Sequence, residues 1–197
     1  HSFQQIVGYR NLEELKDLLN KFSFRVLKKD CLDLPDKMYT TREIELTPDQ
    51  KRIYKELKDY AIVQLDDAEF VTTTSVITQI LRLQQVLCGF TRTDAGENIA
   101  IPSNRLKELM ATLEEVEGKC IIWANYQHDI RSIVSKIAEI YGPDSVAHYY
   151  GETAANERPL IVSLFQDPDS PLRFFVGQPR TGGFGLTFTE ANTVVYY

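Results

Sequence analysis

The amino-acid sequence predicts an α/β protein in which a parallel sheet is covered by helices on both faces and is preceded by a helical region. In the second half of the chain, short continuous apolar runs alternate with segments of helical periodicity. Continuous apolar strands are typical of parallel sheets that are buried on both faces. One such run, Phe174–Val176, leads directly into a glycine-rich turn, which predicts a ligand-facing loop.

The composition is that of an ordinary globular protein, with 197 residues of which 43% are hydrophobic and 25% charged. A formal net charge of −6 argues against coating nucleic acid through overall charge, although it leaves room for a local basic patch. The cysteines Cys31, Cys88 and Cys120 form no CxxC pair, which indicates reduced thiols and a cytoplasmic protein. No apolar run reaches the ~20 residues of a membrane span, and no signal peptide is apparent.

Residues 1–46 are predicted to form a helix and a linker. Leucines at 12, 15, 18 and 19 recur at helical spacing, with Asn11 as the expected N-cap. A basic stretch at 25–30 and a turn or extended segment at 32–37 follow, and a weak alternation over 38–46 predicts one strand. From the residues alone, the basic stretch is best explained as a solvated face.

Residues 47–102 are predicted to form a helical hairpin. Thr47, Pro48 and Gln50 form the start signal of a helix, with Thr47 as the cap and Gln50 closing a capping box. A second helix is expected from about 75 to 87 and is ended by Gly89. The polar stretch 91–102 is predicted to be a loop.

Residues 103–197 are predicted to form the α/β part. Ser103 caps a helix that Gly118 ends, and apolar strands follow at 119–124, 145–150, 173–177 and 193–197, with helices at 130–141 and 155–165. No helix follows the last strand, so we expect the sheet to be incomplete in this chain.

Three loops are expected to meet at one edge of this sheet. They comprise residues 125–128, 151–153 and 178–185, and each follows the carboxyl end of a strand. Ligands of open α/β sheets bind at this edge. Arg180 stands beside Gly182 and Gly183 in a strand-to-helix turn, where a cation and free backbone N–H groups would meet an anion. The turn matches neither GxGxxG nor a P-loop, so an ordinary glycine turn is an equal alternative at this point.

Other chemistry has little support in the sequence. His128 and His148 lack partners at metal-ligand spacing, so no metal site is predicted. No serine lies in a nucleophile elbow and the carboxylates are scattered, which argues against triad or paired-acid hydrolysis. Trp123 is assigned to the core. By the residues alone, Arg158 is expected to form a surface ion pair with Glu157 or Asp167.

Several segments together resemble the second, C-terminal RecA-like lobe of the Swi/Snf-type ATPases of helicase superfamily two, in a bacterial or phage-like member. The stretch 24–30 and the LPDK at 34–37 are similar to the family's inter-lobe linker, and LTPDQ at 46–50 with Tyr54 resembles the start of its helical insertion. Residues 119–124 resemble motif IV, Tyr150-Gly151 with Arg158 and Phe165 resembles the YxG…R…F segment, and 180–187 resembles motif V.

The resemblance implies part of a motor that uses ATP and Mg²⁺ to translocate on double-stranded DNA. In the family, the N-terminal RecA-like lobe holds ATP through a P-loop and a DExx box, which are both absent here. Motif VI, with its arginine fingers, is expected beyond Tyr197, so we expect no catalytic residue in this chain and no ATPase activity from it alone. The resemblance assigns phosphate contacts to Gln178, Arg180, Thr181, Gly182, Gly183, Gly185, Gly151 and Arg158, and linker roles to Arg25, Lys28, Lys29 and Lys37.

Two departures and two alternatives stay open. Gln178-Pro179 replaces a more usual pair of small hydroxyl residues, and Thr187 stands where many members have Asn. The first alternative is a non-catalytic protein-interaction module, with the helical part as its docking surface. The second is an RNA-directed helicase of the same superfamily. The expected location is the cytoplasm, or the nucleus if the source is eukaryotic, with no membrane contact.

Overall fold

The structure is a computed structural model that describes residues 8–27, 31, 36–67, 73–93, 95–183 and 185–197. The chain divides into two compact units, His1–Arg42 and Glu43–Tyr197. Within the described residues, no helix combines the length and the apolar character needed to cross a membrane.

The first unit contains helix α1, Leu12–Asn20, as the leucine spacing predicts. Asn11 is its N-cap, but no side-chain bond from Asn11 caps the helix. The predicted strand over 38–46 is wrong, because residues 36–47 have no regular secondary structure. A strand needs a hydrogen-bonded neighbour, and a weak alternation of mostly exposed side chains does not supply one.

The second unit begins with a helical hairpin of α2, Pro48–Asp67, and α3, Thr73–Leu87. The predicted capping box is present. The backbone N–H of Gln50 donates to Thr47 Oγ1 at 3.2 Å, and the backbone N–H of Thr47 donates to the side-chain Oε1 of Gln50 at 3.2 Å. Gln50 is 1% exposed, and its Nε2 donates to the carbonyl of Val86 at 2.9 Å near the end of α3. One buried amide therefore joins the start of α2 to the end of α3.

A small antiparallel ribbon follows the hairpin. Gly89 has a φ of 88°, which ends α3, and β1, Phe90–Arg92, then pairs with β2, Asn98–Ala100. The loop predicted for 91–102 is thus partly wrong. These strands contain only three residues each, too few for a period of two to appear in the sequence.

The α/β part confirms the predicted fold class. Its elements in chain order are α4, Arg105–Glu115; β3, Lys119–Trp123; α5, Gln127–Tyr141; a 3₁₀ turn, Pro143–Ser145; β4, Val146–Tyr149; α6, Arg158–Gln166; β5, Phe174–Gly177; α7, Pro179–Gly182; and β6, Ala191–Tyr196. The strand order is β4-β5-β3-β6, and every neighbouring pair is parallel. The predicted strands agree with the observed ones to within a few residues.

Two apolar clusters cover the two faces of the sheet. One cluster packs α4 and α5 against β3 and β5, with Leu113, Ile130 and Phe174 fully buried. The other packs α6 against the opposite face through Phe165 and Phe175, which are also fully buried. The consecutive residues Phe174 and Phe175 therefore face opposite clusters, which explains why this strand is continuously apolar.

Candidate nucleic-acid interface at the sheet rim

The carboxyl ends of β3, β4 and β5 bring three loops to one edge of the sheet. We name them the β3 loop (Asn125–His128), the β4 loop (Tyr150–Thr153) and the β5 turn (Gln178–Gly183). Gln178 connects them: its backbone N–H donates to the carbonyl of Tyr149 at 3.0 Å, and its Nε2 donates to the carbonyl of Asn125 at 2.9 Å. The predicted convergence of the loops is present in the structure.

The backbone of the β5 turn is occupied by its own hydrogen bonds. The amides of Thr181 and Gly182 both donate to the carbonyl of Gln178 at 2.9 Å, and that of Gly183 donates to Pro179 at 2.9 Å. We expected free N–H groups here as anion donors. These three amides instead close the single helical turn α7, so they are not available to a ligand in this conformation.

The glycines of the β5 turn allow close packing. A Cβ on Gly182 would lie 3.2 Å from side-chain atoms of Trp123 and Tyr149, and a Cβ on Gly183 would lie 2.4 Å from the carbonyl oxygen of Pro179. Trp123 packs against the cluster of Phe165 and Phe175, as its assignment to the core predicts. The fold therefore requires glycine at position 183, whereas at position 182 it leaves little room for a larger side chain.

Arg180 is the cation that this turn presents. Its side chain is exposed and makes no hydrogen bond or ion pair with any residue in the described part of the chain. Gly185 is exposed and has a φ of 75°, in the left-handed region that glycine favours. Phe184, between them in the motif V segment, lies outside the described residues.

Side chains hold the β4 loop in place. Thr153 is 3% exposed, and its Oγ1 accepts a bond from the Tyr150 N–H at 3.0 Å. Arg158, the first residue of α6, donates from Nε to the carbonyl of Thr153 at 3.1 Å and from Nη2 to that of Tyr150 at 3.3 Å. The ion pair expected for Arg158 from the residues alone does not form, because two loop carbonyls bind its guanidinium.

Gly151 occupies the exposed centre of the β4 loop. A Cβ placed on it would meet no atom of the described residues within 4 Å, and its φ is not in the left-handed region. Neither packing against these residues nor backbone conformation therefore requires glycine at this position. The open space in front of Gly151 is available to an incoming ligand.

Arg131 also contacts the β4 loop, and the sequence did not predict this contact. Arg131 on α5 donates from Nη2 to Glu152 Oε2 at 2.6 Å and from Nε to the hydroxyl of Tyr150 at 3.4 Å. The Tyr150 hydroxyl in turn donates to Glu152 Oε2 at 3.1 Å. These bonds from Arg131 and Tyr150 lower the pKa of the Glu152 carboxyl. No local motif marks a pair separated by 21 positions.

The β3 loop packs against the helical hairpin and its ribbon. The hydroxyl of Tyr126 donates to Gln84 Oε1 at 3.2 Å, and Phe90 stacks on His128 with ring centroids 4.5 Å apart. The next residue, Asp129, is 3% exposed, and burial raises the pKa of its carboxyl against the opposing effect of Arg105. This loop is therefore supported from the side by the hairpin.

The linker residues are only partly described. Arg25 and Lys37 are exposed, and Lys28 and Lys29 lie outside the described residues. Their assignment to an inter-lobe linker stays a prediction.

Comparison with known proteins extends these observations. The SNF2-related domain family matches residues 4–90, which include the predicted linker and the hairpin. Among solved structures, the Sulfolobus solfataricus SWI2/SNF2 ATPase C-terminal domain is 26% identical, with a TM-score of 0.62 over 78% of this chain and 68% of that one. The core domain of the Sulfolobus solfataricus SWI2/SNF2 ATPase is 28% identical, with a TM-score of 0.63 over 93% of this chain and 39% of that one.

Curated relatives match along nearly the whole chain. The Bacillus subtilis protein YwqA, whose name describes an ATP-dependent helicase/translocase, is 23% identical over 95% of this chain and 21% of its own length. The chromatin remodeling factor mit1 of Schizosaccharomyces pombe is 25% identical over 96% of this chain and 15% of its own. The chain thus spans between about a seventh and a fifth of the length of these relatives. The matches confirm the resemblance to the Swi/Snf-type ATPases, and the α/β part of this chain has the fold of their RecA-like C-terminal lobe.

Proposed function

We propose that this chain is the C-terminal lobe, with its linker and helical insertion, of an ATP-driven motor that translocates on double-stranded DNA. The rim would contact the phosphate backbone, and an N-terminal RecA-like lobe of the same parent protein would be its partner in ATP hydrolysis. The proposal rests mainly on two residues exposed at the rim of the sheet. On adjacent loops at the edge where α/β sheets bind ligands, an arginine without a bonding partner among the described residues and an exposed glycine both face solvent.

The residues at the rim have different parts in this proposal. Arg180, which is exposed and pairs with none of the described residues, would bind a backbone phosphate through its guanidinium. Gly151 would let a phosphate approach the β4 loop closely. Arg158 would act as a positioning residue, because its donors hold the carbonyls of that loop.

The β5 turn would contribute its conformation rather than its amides. Gln178, Thr181, Gly182 and Gly183 fix the turn that presents Arg180, and Gly185 follows in a conformation suited to glycine. Contacts confined to such a strip agree with a formal net charge of −6, since phosphate contacts need only a local cationic surface.

ATP and Mg²⁺ are implied by the family. Within the described ranges, no group of three His, Cys, Asp or Glu residues could hold a metal ion, and the sequence contains no P-loop. Under the proposal, the groups that bind the nucleotide belong to other parts of the parent protein.

The direct test is ATPase activity of the parent protein and of the 197-residue chain. We expect duplex DNA to stimulate the parent strongly, and we expect the isolated chain to show no turnover above background. Stimulation by duplex RNA but not by duplex DNA would favour the RNA-directed helicase instead. ATP turnover by the purified chain would contradict the division of the ATP site between two lobes.

A second test uses the chain by itself. A fluorescent duplex of about 20 base pairs should bind, with an affinity that falls as salt is raised because counterions are released. Binding without salt dependence, or no binding at low salt, would contradict the phosphate interface.

One observation favours the alternative of a protein-interaction module. Leu12, Leu15 and Leu18 on α1 are each about half exposed, at 57%, 52% and 48%. Exposed apolar surface of this kind marks interaction sites in soluble proteins. A parent protein with no DNA-stimulated ATPase activity, whose partner binding is lost on replacing Leu15 by Glu, would support this module over the motor.

A further inference from the structure

The carboxylate of Glu152 in the β4 loop is bound by side chains from outside its own position. The Glu152 carboxylate accepts bonds from Arg131 Nη2 at 2.6 Å and from the Tyr150 hydroxyl at 3.1 Å. Two donors from different elements thus converge on one anionic oxygen. A phosphate oxygen has the same charge and accepts the same kind of hydrogen bond.

One of the two donors, Tyr150, is fixed more firmly than the acceptor. Tyr150 is 6% exposed and belongs to the apolar cluster beneath α5, so its ring is held by packing. Its hydroxyl also accepts from Arg131 Nε at 3.4 Å, which orients the guanidinium beside it. Glu152, in contrast, has a side chain that is 53% exposed, and it follows Gly151, where an added Cβ would meet none of the described residues within 4 Å.

The pair is reachable from solvent. The side chains of Arg131 and Glu152 are 59% and 53% exposed. Exposed ion pairs contribute little to stability, so exchange of Glu152 for another anion would cost the fold little. Such an arrangement suits a site that releases the Glu152 carboxylate when an external anion with higher affinity binds.

We propose that Arg131 and Tyr150 form a phosphate-binding site for duplex DNA, and that Glu152 occupies this site until a backbone phosphate displaces it. The site deepens the proposed DNA interface and rests on it for the identity of the ligand. Arg131 would then add a phosphate contact next to Gly151. Glu152 would lower the affinity for free anions, because each must first compete with an intramolecular carboxylate.

The first experiment uses inorganic phosphate as the probe and the purified chain. The Arg131 Nε–H signal and the amide signals of residues 150–153 are followed by NMR, with the arginine signal assigned by its loss in Arg131→Gln. We expect phosphate to shift these signals in a saturable way, at about fivefold lower concentration in Glu152→Gln. In Arg131→Gln the amide shifts should disappear.

A matched control is available on the same helix. Glu139 pairs with Lys136 at 2.8 Å near the end of α5, so Glu139→Gln makes the same change in net charge away from the β4 loop. Equal effects of Glu139→Gln and Glu152→Gln would overturn the inference, since only the net charge would then matter. An Arg131 signal that phosphate fails to move in Glu152→Gln would also overturn it.

The second experiment identifies the natural source of the phosphate. Duplex DNA of about 20 base pairs should move the same Arg131 signal, and Arg131→Gln should reduce the salt dependence of binding by about one ion. Duplex binding that leaves this signal in place would overturn the assignment to DNA. If the chain binds no duplex, the proposed function fails, and the phosphate titration still decides whether the anion site exists.

Discussion

The β4 loop and the β5 turn lie on the same rim and both contain glycine, but they use glycine for opposite purposes. In the β5 turn, a Cβ on Gly183 would lie 2.4 Å from a backbone oxygen, so the residue is needed by the fold. In the β4 loop, a Cβ on Gly151 would lie more than 4 Å from every atom of the part of the chain that the structure describes. A glycine that the fold does not need is the better indicator of a ligand, although the glycine-rich sequence draws attention to the other loop.

The strongest test of this contrast is Gly183→Ala. Because the added methyl group would press on the carbonyl of Pro179 and not on a flexible side chain, we expect a loss of about 1 to 3 kcal/mol in the free energy of unfolding. Urea denaturation of the isolated chain measures it. Gly151→Ala is the control, with an expected change within about 0.5 kcal/mol. Equal losses for both variants would remove the distinction between the two loops.

Gly151→Ala should instead affect binding. If phosphate approaches the β4 loop closely, the methyl group would displace it and weaken duplex DNA binding by about tenfold, the cost of one charge-assisted hydrogen bond. Fluorescence anisotropy at fixed salt measures the change. Unaltered affinity in a stably folded Gly151→Ala chain would show that the open space in front of this residue has no ligand.

Arg158→Lys tests whether the β4 loop depends on its scaffold. A lysine has a single ammonium group and cannot reproduce the two separate bonds to the carbonyls of Tyr150 and Thr153. We expect amide hydrogen exchange of residues 150–153 to become about fivefold faster, as one hydrogen bond is lost. Should exchange stay slow while DNA binding weakens, Arg158 would be a phosphate contact and not a positioning residue.

Arg180→Ala should give the smallest change in affinity, about threefold, since its contact with phosphate would be exposed and screened. The more diagnostic result is the salt dependence of duplex binding, which should fall by about one ion. Folding should be unaffected, because Arg180 has no bonding partner among the described residues. An unchanged salt dependence would exclude Arg180 from the interface.

Sequence reasoning succeeded where the determinants were local or periodic. The capping box of Thr47 and Gln50 requires only residues three apart, and the buried strands reveal themselves by continuous apolar runs. It failed for the strand expected over 38–46 because the pattern cannot show whether a pairing neighbour exists. It likewise missed the β1–β2 ribbon, whose strands are too short to show a period.

The sequence predicted where in the fold the candidate site lies, but not the hydrogen bonds within it. Strand order and loop position brought Arg180 and Gly151 to one rim. The partners of Arg158 are backbone carbonyls, which no side-chain pattern encodes. The bond between Arg131 and Glu152 joins a helix to a distant loop, so only the folded structure reveals it.

The buried amide of Gln50 has a consequence for how the hairpin opens. Because it bonds both the cap of α2 and the carbonyl of Val86 near the end of α3, fraying of either helix end would leave a polar group without a partner. The two ends should therefore open together as one cooperative unit, with matching opening free energies in native-state exchange. Helix ends usually fray independently, whereas the start of α2 and the end of α3 would open in the same step.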